Sequence, residues 1–154
     1  LFPPGASTFG RQIEWRAARF AVPFGFKKGE ILSGNNSPTP GTDFSGATAS
    51  VKSYCRADLK KQVTGAALDV RLLPSSMEGE NGIASLVALV KGFLKLGGYF
   101  MQTDCVDAAT LRAARDDPKA YKTLSVRVSG WNARFVTLDK QWQDMIIERT
   151  EQGI

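Results

Sequence analysis

Two short strand-patterned runs close to the end of the chain, Thr123 to Val128 and Ala133 to Leu138, are separated by only Ser129-Gly130-Trp131-Asn132, and a helix-patterned segment follows them. Runs so close together can meet only through a tight connection. Glycine is the residue that accepts the backbone conformations such a connection demands. Leu124, Val126 and Val128 alternate onto one face of the first run. On spacing alone, Ser129-Gly130 is a hairpin turn, since Ser-Gly is common turn chemistry.

The rest of the chain sets bounds on what surrounds that turn. A chain of 154 residues, 43% hydrophobic and 23% charged, has a globular composition. Folded compactly, it would bury roughly two-thirds of its unfolded surface. It starts at Leu1 without an initiator methionine, so we expect a processed chain or the end of a longer one. No apolar run reaches the ~18 residues needed to span a bilayer, and no signal peptide is visible. The net charge of +5 is spread among acids, as in Arg112, Arg115, Asp116, Asp117 and Lys119, which reads as a solvated surface rather than a nucleic-acid footprint. There is no histidine, so a Cys/His zinc site, a histidine general base and a Ser-His-Asp triad are all excluded. The two cysteines, Cys55 and Cys105, suit a reducing, cytoplasmic setting. Gly25 to Gly29 is no phosphate loop, and Asp43, Asp104 and Asp107 form no recognisable acid/base pair.

Along the chain, residues 1–48 are rich in Gly, Pro, Ser and Asn and are expected to be irregular, wrapping over a larger body. Gln12 to Phe20 fits a short helix or a strand. A helix is expected from Gly46 towards Tyr54, and a strand over Ala67 to Leu73 that ends at Pro74. In Asn81 to Leu96, Ile83, Leu86, Val87, Val90, Phe93 and Leu94 recur with helical period, and the helix stops at Gly97-Gly98. Tyr99 to Val106 reads as a strand. Asp107 is an N-cap for a helix from Ala108 to Asp116, halted before Pro118. Ala133 to Leu138 is expected to be extended. Asp139 caps a last helix with Trp142, Met145, Ile146 and Arg149 on one side.

Four collinear segments carry a family resemblance. Arg127-Val128-Ser129-Gly130-Trp131-Asn132-Ala133-Arg134-Phe135 resembles the glycyl radical enzyme signature R-V-S/A-G-Y/F/W-x-A/V-x-F/W. Leu138 to Thr150 resembles that family's closing helix, with Gln143-Asp144, Ile146 and Arg149-Thr150 in place. Val106 to Tyr121 and Ser37-Pro38-Thr39-Pro40-Gly41-Thr42-Asp43 with Gly46-Ala47-Thr48-Ala49 resemble two upstream family stretches. Pro23 to Glu30 departs from the x-D-G-R-R/K-x-G-E form, which marks a divergent member. Trp131 to Leu138 is more similar to the eliminating and decarboxylating branches than to pyruvate formate-lyase.

The resemblance implies an α/β fold, the C-terminal portion of a ten-stranded glycyl radical enzyme barrel, with residues 1–48 belonging to the parent barrel and 49–154 forming the radical domain. It implies an anaerobic, oxygen-sensitive lyase, dehydratase or decarboxylase acting on a small organic substrate. No cofactor is bound; an iron–sulfur, S-adenosylmethionine activase would install a radical on Gly130. Arg127, Ser129 and Trp131 would support that loop. For Arg127 and Arg134 a tie to a neighbouring acid, a contact with the activase and a salt bridge all stay open; Trp131 either shields the radical or anchors the loop in apolar packing. The family's thiyl cysteine sits in a G-C-x-E-type loop, which neither Tyr54-Cys55-Arg56 nor Asp104-Cys105-Val106 matches, so both cysteines read as buried small apolar residues. The chain would then be an inactive piece that needs the N-terminal remainder of its enzyme, with exposed apolar faces on Asn81–Leu96 and on the strands. The alternative is a stand-alone radical subunit that complements a truncated enzyme in trans. Neither nucleic acid nor membrane is an expected partner.

Overall fold

Apolar side chains gather into two clusters, each closed by helices on a two-stranded sheet. The computed structural model describes residues 2–6, 15, 17–23, 25–39, 42–128 and 130–151. In order, the elements are α1 (Gly46–Tyr54), β1 (Ala67–Arg71), α2 (Gly79–Lys95), β2 (Phe100–Asp104), α3 (Ala108–Asp116), β3 (Ser125–Arg127), β4 (Asn132–Arg134) and α4 (Lys140–Glu151). Strands β1 and β2 pair in parallel, with α2 between them in sequence; β3 and β4 pair antiparallel. This is a small α/β domain. Of Gln12 to Phe20, residues 12–14 and 16 lie outside the described residues, and the described remainder is turn and irregular chain, neither helix nor strand. Before Gly46 the described chain contributes one isolated bridge, Ala6 to Ala66.

The first cluster joins Val51, Tyr54, Leu59, Leu68, Val70 and Phe93. Tyr54 stacks on Phe93 with ring centroids 5.8 Å apart. Its hydroxyl donates to the carbonyl of Ala66 at 2.5 Å and accepts from the amide of Phe100 at 3.3 Å, fixing α1 to both strands. Helix α2 ends where Gly97 takes φ +79°, a left-handed conformation that costs glycine nothing. The amides of Gly97 and Gly98 then close onto the carbonyls of Leu94 and Phe93, the paired C-terminal cap expected after a left-handed glycine.

The second cluster joins Leu111, Ala114, Val126, Val128, Phe135, Met145, Ile146 and Ile147, so α3 and α4 close over the β3–β4 hairpin. Full burial of each large side chain is worth about 1.5–3 kcal/mol. The partly exposed pairs Arg115–Asp144 (2.9 Å) and Arg112–Glu151 also link the helices, but such pairs contribute at most about 1 kcal/mol. Packing therefore places α4, and the ion pairs adjust it.

Several expectations need correction. Beyond Arg134 the chain does not stay extended: Phe135–Thr137 is a turn of 3₁₀ helix, which drives the Phe135 ring into the core while Thr137 Oγ1 donates to the carbonyl of Arg134. Cys105 is exposed and Cys55 half-buried, so neither is a core residue. Desolvation raises the pKa of both thiols, helped at Cys105 by Asp104, so both are protonated at neutral pH. The exposed apolar faces are present: Ile83 is 65% and Leu94 64% accessible, and Leu86, Val87, Val90, Tyr99 and Phe100 lie open beside them. No helix among the described residues is long and apolar enough to cross a membrane.

Asp107 caps α3 by accepting from the amide of Thr110 at 2.6 Å, and that bond holds its carboxyl below the ordinary aspartate range. The stabilisation is present above the pKa of the unfolded chain and is lost as pH falls through the lower folded value. Asp107→Ala should cost about 1 kcal/mol at neutral pH, read by urea denaturation, and nothing once the pH is below both values. An undiminished penalty at low pH would contradict the cap.

Candidate functional site around the Gly130 loop

Strand alternation divides the β1–β2 sheet into two unlike faces. Leu68 and Val70 point into the first core. The opposite face carries Ala67, Asp69 and Arg71 on β1, in register with Phe100, Gln102 and Asp104 on β2. The Gly130 hairpin is tied to this polar face. Arg127 Nε donates to Gln102 Oε1 at 2.6 Å, and its Nη1 donates to Asn132 Oδ1 at 3.2 Å on the facing strand.

Within the hairpin, Arg127 faces Asn132, and the amide of Val128 donates to the carbonyl of Trp131 at 3.0 Å. That leaves Ser129-Gly130 as the connection. Gly130 has φ +80°, and its residue is exposed at the mouth of an open recess of about 250 Å³ lined also by Ala67, Tyr99, Phe100 and Arg127. The glycine thus sits at the N-terminal end of the sheet's polar face. The simple hairpin reading and the family signature describe the same atoms.

Of the residues singled out from the sequence, Gly130 and Arg127 meet here, whereas Ser129 lies outside the described residues. Arg127 ties the loop to a neutral amide and not to an acid. Neither Arg127 nor Arg134 forms an ion pair among the described residues, and Arg134 is exposed. Trp131 is 50% accessible, so it does not anchor the loop in apolar packing. Among the described residues no His/Cys/Asp/Glu group could hold a metal ion.

Sequence reasoning missed the charges beneath the loop. Arg149 on α4 donates to the carbonyls of Arg127 (2.8 Å) and Val128 (3.2 Å). Asp69 Oδ1, Arg71 Nε, Asp104 Oδ2 and Arg149 Nε are all shut from solvent without a hydrogen-bond partner among the described residues. Burial, then the charge of Arg149, lowers Arg71 to about 9, with Asp104, Asp69 and Asp43 opposing; Arg149 is lowered by burial and raised by Asp69 and Asp104. At about 9, Arg71 remains a cation at neutral pH. The available signal was polar residues at every second position of two otherwise strand-like runs, Asp69/Arg71 and Gln102/Asp104.

Comparison with known proteins now identifies the family. The glycine radical family profile matches residues 32–136, more than half of the chain. Indoleacetate decarboxylase of Tractidigestivibacter scatoligenes is 36% identical over 132 residues, covering 85% of this chain and 15% of the decarboxylase. Isethionate sulfite-lyase of Desulfovibrio desulfuricans is 35% identical over 87% of this chain and 16% of its own length. The structure of the B12-independent glycerol dehydratase from Clostridium butyricum superimposes with a TM-score of 0.88 at 33% identity, over 96% of this chain and 19% of that one. The chain belongs to the glycine radical family, and it spans less than a fifth of the length of these relatives.

Because Gly130 holds φ +80°, a Cβ at this position is strained. Gly130→Ala should lower stability by about 1–2 kcal/mol, read by thermal or urea denaturation. A stability equal to that of the parent chain would contradict the left-handed loop.

Proposed function

We propose that this chain is the radical-storage domain of a glycyl radical lyase, dehydratase or decarboxylase of the eliminating branch, with the unpaired electron on the α-carbon of Gly130. Residues 49–154 form that domain, and residues 1–48 belong to the parent barrel. The observation that carries the proposal is a glycine of the family signature, held at φ +80° in a loop tied to a sheet. An α-carbon radical is delocalised onto the amide nitrogen on one side and the carbonyl on the other, which requires a planar carbon. A side chain would crowd that carbon and add further reactive C–H bonds.

In this reading a partner activase, using an iron–sulfur cluster and S-adenosylmethionine, removes one α-hydrogen atom from Gly130. The stored radical later takes a hydrogen atom from a cysteine thiol, and the resulting thiyl radical attacks a small organic substrate. Neither Cys55 nor Cys105 fits that role: Cys55 packs against the first core, and Cys105 adjoins the far end of β2 from the Gly130 recess. The thiol is therefore assigned to the remainder of the enzyme. Arg127, Ser129 and Trp131 would position and shelter the loop.

The open recess at Gly130 and the bare apolar face of α2 support a larger covering body, joined covalently or supplied in trans. An excised end of a longer enzyme is poorly soluble alone, whereas a complementing subunit binds a truncated enzyme and restores turnover. The setting is an anaerobic cytoplasm, without nucleic acid or membrane as partner.

Anaerobic incubation with a cognate activase should give a doublet electron paramagnetic resonance signal, absent in Gly130→Ala. Air should then cut the chain at Gly130, with mass spectrometry finding a fragment that ends there. A signal that survives the substitution would refute the assignment.

A further inference from the structure

The geometry points to Arg149 as the positioning residue of the Gly130 loop: α4 reaches under the hairpin and holds the carbonyls of Arg127 and Val128, at the strand end from which the turn departs. This rests on the reading of Gly130 as the radical site. Arg149 spends two of its N–H groups on adjacent carbonyls, those of Arg127 and Val128, immediately before Ser129-Gly130. In a hairpin of this register the Val128 carbonyl would ordinarily have only the facing strand as a partner; here a guanidinium from another element takes part. The planar fork of arginine matches two neighbouring acceptors, whereas a lysine ammonium is a point donor.

The fork is held from behind. Asp69 and Asp104, on adjacent strands, attract it, while Arg71 repels it from the same face. A half-buried guanidinium whose Nε lacks a partner is stable only with countercharge nearby, and these two carboxylates supply it. Asp69 is itself fixed, since Asn35 Nδ2 donates to its Oδ2 at 2.9 Å and its amide donates to Ser37 Oγ at 2.7 Å. Ile146 and Ile147, three and two residues earlier on α4, are buried in the second core, so the base of the Arg149 side chain has a rigid mount. Strand face, helix and glycine loop therefore form one relay: carboxylates to Arg149, Arg149 to the carbonyls, carbonyls to the turn. Its consequence for a radical is geometric and indirect: the latch fixes the strand end from which the turn departs, and spin delocalisation depends on how the amide planes flanking the glycine α-carbon meet it.

The test is amide hydrogen exchange on the full chain, without activase, comparing the parent with Arg149→Met and Arg149→Lys. Circular dichroism and protection of Leu68, Val70 and α3 report the fold; Val128, which donates across the turn, reports the latch. Arg149→Met should speed exchange at Val128 by about tenfold or more while leaving the reporters of the fold unchanged, and Arg149→Lys should fall between. If Arg149→Met does not fold, Asp104→Asn removes one countercharge at constant shape and should give a smaller acceleration confined to the same loop. Unchanged protection at Val128 in a folded variant overturns the proposal. After activation of the folded variants, a changed doublet splitting in Arg149→Met is expected, a readout that loss of stability alone would not move. A parent chain that takes no radical sinks the radical reading, and the exchange result still decides the latch.

Discussion

Everything at the glycine depends on how an irregular turn is fastened to a regular sheet. The fastening is made by two arginines acting differently. Arg127 crosses to the Gln102 amide side chain, and Arg149 clasps the backbone carbonyls of the turn's own strand. Without them, a three-residue strand pair would have little to hold it, since an isolated hairpin is marginal in water. The second core supplies the remaining restraint, through Val126, Val128 and Phe135 on either side of the turn.

The two faces of the β1–β2 sheet explain why a small domain can carry both a stable core and a charged platform. Leu68 and Val70 take the hydrophobic load on one side. That leaves Asp69, Arg71, Gln102 and Asp104 free to face the hairpin. Such a cluster is a poor source of net stability, because desolvation of each charge offsets much of the Coulombic gain. Its value is directional: it fixes where Arg149 points. The neutral Gln102 suits the same purpose, since it receives Arg127 without drawing it away from the hairpin.

Much of this was legible in the residues. The helical period of α2 and the stop at Gly97-Gly98, the Asp107 cap, and the alternation of Leu124, Val126 and Val128 all express local physics. Elements decided by tertiary packing were less so. Phe135 looks like the continuation of a strand, but the core claims its ring and tightens the chain into a 3₁₀ turn. Trp131 and Cys105 look like residues to bury, yet the described residues leave both exposed. The Arg149 clasp was hidden for another reason: it joins residues from α4, β1, β2 and β3, and no spacing along the chain brings them together. The final helix could be read as carrying Arg149 on its inward side, but not what that arginine would hold.

The central claim is that a glycine α-carbon in this loop carries the spin. The direct measurement is electron paramagnetic resonance of the anaerobically activated chain grown with α-deuterated glycine. The account predicts that the doublet collapses towards a single narrow line, because the remaining α-proton that splits it has been replaced by a deuteron of much smaller moment. A doublet of undiminished splitting would place the electron elsewhere and contradict the account.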